Sequence, residues 1–301
     1  MTIPAAARNI VLYLMVAGAA QSAAARVIHT EHSLYQNILV TESSGRLCMK
    51  FSIRHNQRNQ SCIDRGEPQK MVFGYTRMMM SGLLLNPDPE RILVVGLGGG
   101  VLPMALATLL PDSHIDIVEI DPAVVRIAEE YFGFTSGPQL RVVVQDARVY
   151  GKRAILRGEH YDLILLDAFT ADYIPEHLMT AEYLAETRAL LAADGVITAN
   201  TFGISDLYDH ESTTYESIFG AFLNLKTWNS SNRIIVATKA ALPDETELEA
   251  RATQLKSALR PYGVPIHRYP RQMSRRRDWD VSARILTDQY SPANLLRGAR
   301  S

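Results

Sequence analysis

Three carboxylates stand where apolar runs stop, and a glycine-rich turn stands before them. Ile92, Leu93, Val94 and Val95 run into Gly96-Leu97-Gly98-Gly99-Gly100, and a helical pattern follows from Val101 to Leu110. A second apolar run, Ile115 to Val118, ends at Glu119-Ile120-Asp121; Val142 to Val144 end at Gln145-Asp146-Ala147; Tyr161 to Leu166 end at Asp167. The glycines let the backbone turn sharply and approach a ligand closely. The helix after them directs its free N–H groups and positive dipole end at that ligand. An acid 23 positions after Gly96, at the tip of the next strand, suits the two hydroxyls of a ribose. Gly96, Gly98 and Gly100 give the G-x-G-x-G spacing of S-adenosyl ligands, whereas a dinucleotide fingerprint would need glycine where Val101 stands.

Each acid also has a plainer reading. Asp121, immediately before Pro122, reads as a helix cap. Asp146 suits the cap of a helix starting near Arg148 as well as it suits a ligand. Glu119 and Asp167 read as ligand contacts, because an acid ending an apolar strand needs water or a partner beside it.

The elements that must position these groups alternate. Strands at 92–95, 115–118, 142–144, 161–166 and 196–200 are separated by helical patterns at 101–110, 123–132 and 180–191, with a turn at Asp194-Gly195. This is a doubly wound α/β chain with a mostly parallel sheet, whose carboxyl edge is where ligands bind. Before it, Ser33 to Val40 alternates as a strand, and 46–53 and 61–64 continue as short strands of a small antiparallel unit. Met71 to Leu85 has helical length and stops at Asn86-Pro87-Asp88-Pro89. The expected division is a leader over 1–25, a β-hairpin unit over 26–70 and the nucleoside-binding catalytic domain over 71–301.

The 301 residues are 47% hydrophobic and 21% charged, with a net charge of −1. They read as globular and lack the basic excess that nucleic-acid binding needs. The basic cluster Arg271, Arg275, Arg276 and Arg277, broken by Asp278 and Asp280, reads as a solvated loop. At the N-terminus, Arg8 precedes an apolar stretch from Ile10 to Ala20 and then small residues, the marks of a secretory signal and short for a membrane span. The expectation is an exported or membrane-anchored protein that meets the membrane only through residues 1–25. The alternative is a cytoplasmic protein whose first helix packs on the body. Cys48 and Cys62 flank a polar turn between two short strands; set opposite each other they would form a disulfide, which persists in oxidising compartments.

The combination resembles the spermidine synthase family. Tyr35-Gln36-Asn37-Ile38, the glycine turn, Glu119-Ile120-Asp121, Asp146-Ala147 and Tyr161-Asp162-Leu163-Ile164-Leu165-Leu166-Asp167 occur in that family's order over about residues 33–200, and Leu286-Thr287-Asp288 looks like the tail of its bacterial members. The resemblance implies a Rossmann-like core of the class I S-adenosylmethionine-dependent methyltransferase type. It also implies a spermidine synthase-like aminopropyltransferase with no permanently bound cofactor, whose cosubstrate is decarboxylated S-adenosylmethionine. By the same resemblance Glu119 holds the ribose, Asp146 and Ala147 meet the adenine, Gln36 lies near the sulfonium, and Asp167 and Tyr75 serve the amine. Tyr35, Thr170 and Asp172 would line the amine side.

The implied reaction needs a base rather than a metal. An ammonium has no lone pair, so the attacking amine must lose a proton, and a carboxylate beside it can take that proton. The sulfonium is already an activated leaving group, and much of the acceleration comes from holding the reactants in line. Three departures stand out. The turn offers Gly98 and Gly99 where the family carries an ammonium-gripping aspartate; Thr170 stands in place of a second loop aspartate, with Asp172 and Glu176 further on; and Arg77 replaces an acid after Tyr75. Asp206, Asp209 and Glu211 are candidate replacement acids. An S-adenosylmethionine-dependent methyltransferase and a non-catalytic polyamine or nucleoside binder of the envelope are the alternatives. Exposed strands of the β unit would suit pairing in a homodimer.

Overall fold

The computed structural model describes residues 25–53, 56–169, 174–228 and 230–291. The leader therefore lies outside the described residues, apart from its last position.

Four strands, β1 (Arg26–His32), β2 (Asn37–Ser43), β3 (Arg46–Ile53) and β4 (Asn56–Asp64), form an antiparallel sheet in chain order. Its strands are longer than the apolar pattern alone suggests, because the polar stretch 56–60 continues the pairing with β3. Cys48 and Cys62 face each other in that ladder and are bonded, as the hairpin reading expects. Closing a loop of this size is worth about 3 kcal/mol in the chain-entropy picture. Reductant, or a Cys48→Ser/Cys62→Ser double variant, should therefore lower the melting temperature by roughly 5–10 °C, read by thermal melts with and without reductant. An unchanged melt would mean that the ladder holds without the bridge.

Ile38, Val40, Leu47 and Met49 face inward and join the main core. The 71–85 segment is not one helix. It forms α1 (Gly74–Met79) and then tightens into a 3-10 turn over Met80–Leu84, which brings Gly82 so close to Leu163 and Thr198 of the main sheet that a side chain would not fit.

The main sheet contains β5 (Arg91–Val95), β6 (His114–Glu119), β7 (Leu140–Val144), β8 (Tyr161–Leu166), β9 (Leu191–Phe202), β10 (Leu223–Lys226), β11 (Asn232–Thr238) and β12 (Met273–Ser274), in the order β12-β10-β11-β9-β8-β5-β6-β7. Pairing is parallel from β7 to β9 and antiparallel beyond it. The connecting helices α2 (Val101–Leu109), α3 (Pro122–Tyr131), α4 (Ala147–Leu156) and α5 (Ala181–Leu190), with α6 (Tyr208–Phe219) and α7 (Glu245–Leu259), cover both faces. Strand order reverses at β5, so the glycine turn after it opens at the crevice where open α/β sheets bind ligands. Asp194-Gly195 is not a turn before the strand but part of an irregular stretch of β9 against β8, where Gly195 packs on the Tyr161 carbonyl.

The tail returns across this body. Arg148 at the start of α4 forks onto Glu186 of α5 and, at 2.7 Å through two nitrogens, onto Asp288. Asp288 also accepts from Thr180, and Ala181 N donates to the Leu286 carbonyl.

Candidate functional site

The turn after β5 adopts the left-handed conformations its glycines permit, with φ of +98° at Gly96, +54° at Gly98 and +73° at Gly100. At Gly96 a Cβ would stand 2.5 Å from the Asp167 carbonyl oxygen, so the turn and the end of β8 are in direct backbone contact. Glu119, at the tip of β6, accepts from Leu97 N at 2.9 Å and from Asp121 N at 3.0 Å, which fixes its carboxyl against the turn. Burial pushes its pKa up, and these backbone donors oppose that shift.

Asp121 caps α3 as its sequence suggests, its Oδ1 accepting from Ala123 N, but its other oxygen accepts from Ser33 Oγ at 2.5 Å. Ser33 Oγ also receives Tyr35 N and Gln36 N. One hydroxyl thus ties the β1–β2 turn, with Tyr35 and Gln36, to the start of α3 beside the tip of β6. Tyr35 is half exposed there. Asp146 is held from two sides: Oδ1 caps α4 through Val149 N, and Oδ2 pairs with His177 Nε2 at 2.9 Å. Ala147 opens that helix.

At the end of β8 Asp167 Oδ1 accepts from Asn200 Nδ2 at 2.8 Å. Burial pushes the Asp167 carboxyl up to about 7, against the pull of the Asn200 hydrogen bond. Tyr75, on α1, donates to the Gln60 carbonyl at 3.1 Å; burial, and secondarily the charge of Asp167, raise its pKa, so it stays a neutral phenol. Phe169 meets Phe202 edge to face at 5.3 Å just beyond Asp167.

Gly96, Gly98, Gly100, Glu119, Asp167 and Tyr75 therefore come together around one edge of the sheet, with the Tyr35-Gln36 turn stitched to it. Thr170 and Asp172 lie outside the described residues. Among the replacement acids, Glu211 is spent elsewhere: it pairs at 3.1 Å with Arg233, which is wholly buried, also bonds Thr201 and Ser212, and lies over the Tyr208 ring. Arg77 turns back to the carbonyls of Val72 and Phe73. Of the two glycines in the turn, Gly98 leaves a Cβ 3.6 Å from Ser61, though its φ of +54° disfavours a side chain, while Gly99 is crowded. A Cβ at Gly99 would come within 2.7 Å of Ser61 Oγ and 2.8 Å of the Phe132 ring. Ser33, Ser61, His177, Asn200 and Asn232 escape a reading of the sequence; only Asn200, an amide at the end of an apolar strand, carries a local signal.

Residues 72–217 match the spermine/spermidine synthase domain. The polyamine aminopropyltransferase of Vibrio vulnificus is 53% identical over 274 residues, which cover 90% of this chain and 91% of that one. Among solved structures, a probable spermidine synthase from Corynebacterium glutamicum superposes with a TM-score of 0.64 at 20% identity, covering 86% of this chain and 99% of the other. Human methyltransferase-like protein 13, in complex with SAH, gives 0.58 at 25% identity over 70% and 97%.

Proposed function

Since the chain belongs to the polyamine aminopropyltransferase family of spermine and spermidine synthases, we propose that it moves the aminopropyl group of decarboxylated S-adenosylmethionine onto a polyamine such as putrescine. Methylthioadenosine is the other product. The observation that carries the assignment of roles is Asp167: a carboxyl at a strand end, gripped by Asn200, beside Tyr75, with a pKa raised to about 7.

In this reading the turn Gly96–Gly100 and Glu119 hold the nucleoside, Glu119 taking the ribose hydroxyls. Asp146 and Ala147 face the adenine, and Gln36 flanks the sulfonium. The amine nitrogen attacks the methylene carbon bonded to sulfur. The new C–N bond forms as the C–S bond breaks, and the sulfonium pair returns to sulfur as a neutral thioether. The proton shed by the amine goes to Asp167. The Tyr75 phenol, its hydrogen committed to the Gln60 carbonyl, offers an oxygen lone pair to an N–H of the incoming amine.

A base with a pKa of about 7 makes the rate pH-dependent. The working form is the carboxylate, so kcat/KM should fall about tenfold per pH unit below 7 and level off above it. A rate profile flat from pH 5.5 to 8 would remove Asp167 as the base.

Binding and turnover together test the function. Titration with decarboxylated S-adenosylmethionine, intact S-adenosylmethionine and methylthioadenosine should show preference for the decarboxylated form, with methylthioadenosine released when putrescine is added. Tighter binding of the intact form without that release would point instead to methyl transfer.

We also propose that residues 1–25 direct export. The Cys48–Cys62 bridge supports an oxidising destination. Cell fractionation with N-terminal sequencing of the mature chain tests it, and an uncleaved, cytosolic chain would refute it.

A further inference from the structure

Asp167 follows β8, Asn200 sits near the end of β9 and Asn232 opens β11, and these three strands are neighbours in the sheet. Two hydrogen bonds run across them in one direction: Asn232 Nδ2 donates to Asn200 Oδ1 at 2.9 Å, and Asn200 Nδ2 donates to Asp167 Oδ1 at 2.8 Å. An amide has a donating and an accepting end, and an ionised carboxyl only accepts. Asn200 must therefore aim its nitrogen at Asp167, and its oxygen needs a donor on the other side. Asn200 is buried, so an unmatched oxygen there would be costly. Asn232 supplies the donor, and its own backbone is fixed by pairing with Phe202 and by its N–H to Ser230 Oγ. Among the described residues no hydrogen bond reaches Asp167 Oδ2, and the other titratable group facing Asp167 is the phenol of Tyr75 on α1.

We propose that Asn232 is a positioning residue for the transfer: it locks the Asn200 amide in the orientation that donates to Asp167 Oδ1, so that Oδ2 is the oxygen that receives the amine proton. Its consequence for turnover rests on the aminopropyl-transfer reading, whereas the lock is a property of the free protein. Asn232 touches no reacting atom and acts through Asn200. Without it nothing holds the Asn200 oxygen on the far side, so the amide can turn and accept from the O–H of protonated Asp167, which favours the neutral acid.

Asn232→Ala, Asn200→Ala and the double variant test this in two ways. Carboxyl carbon NMR follows the titration of Asp167 in the free protein, with Asp167→Asn identifying the signal. The pH profile of kcat/KM with decarboxylated S-adenosylmethionine and putrescine follows the same group in turnover. Asn232→Ala should move both midpoints upward by about 0.5–1 pH unit while methylthioadenosine affinity stays unchanged. Asn200→Ala should move them at least as far. The double variant should match Asn200→Ala alone, because a residue acting only through Asn200 has no further effect once Asn200 is gone. A wild-type midpoint in Asn232→Ala, or an additional shift in the double variant, would overturn the proposal. If the wild-type protein turned over no amine while the titrations followed the expected pattern, the lock would stand and the assigned reaction would fall.

Discussion

Asparagine in place of Asp167 should abolish aminopropyl transfer and make the protein more stable at the same time. The amide cannot take a proton from the amine, so turnover should fall by about 10²–10⁴. Methylthioadenosine should still bind within a few-fold, because the proposed nucleoside site is built on the glycine turn and Glu119. The stability gain follows from the direction of the pKa shift. Asp167 is raised from 3.8 to about 7 in the folded protein, so its ionisation costs the folded state more than the unfolded one. The favourable contribution is complete below about pH 4 and is lost as pH rises towards 7. At pH 8 the wild-type protein carries the full penalty, of the order of 2–4 kcal/mol, and Asp167→Asn does not. The variant should therefore melt roughly 5–10 °C higher than wild type at pH 8 and alike at pH 4. Loss of nucleoside affinity along with turnover, or a lower melting point at pH 8, would show that Asp167 serves binding or folding rather than proton transfer.

The second large effect is expected at Gly96. Gly96→Ala puts a methyl group where the backbone has a φ of +98° and where the Asp167 carbonyl oxygen stands 2.5 Å away. Either the turn or the end of β8 must move, and both carry site groups. Affinity for methylthioadenosine should drop at least about 100-fold, a loss of ~3 kcal/mol of the kind such strain produces. Gly45→Ala is the control: its φ is +78°, but nothing lies within 4 Å of the added carbon and it is far from the turn. It should cost about 1 kcal/mol of stability and leave affinity alone. Equal loss of affinity in both variants would mean that global strain is responsible, not the contact with β8.

The strand-end acids are legible in the sequence because β6, β7 and β8 are short apolar runs that stop at or next to an acid, and because Asp121-Pro122 announces a helix start. The chemistry around Asp167 is less legible. Asn200 and Asn232 are 32 residues apart, and antiparallel pairing of β9 with β11 brings them together, a register that no local pattern states. The same holds for Ser33 on Asp121 and Ser61 beside Gly99, where the small sheet meets the large one. Glu211 misleads for a related reason. Its position near a helix start looks like an exposed acid, yet Arg233, an arginine within an otherwise apolar strand, draws it inside. The helix expected over 71–85 fails where Gly82 must lie against β9, a demand of packing that overrides helical length.

The fork of Arg148 onto both Glu186 and Asp288 bears on the order in which the chain is completed. The two ends of the second bond are 140 residues apart. During synthesis α4 and α5 emerge early and pair through Arg148 and Glu186, but the last clamp on them waits for the tail. A ribosome-bound chain thus holds α4 and α5 without the Asp288 clamp until almost every residue has emerged. Such a chain remains easier to unfold while it is being made than after it is released.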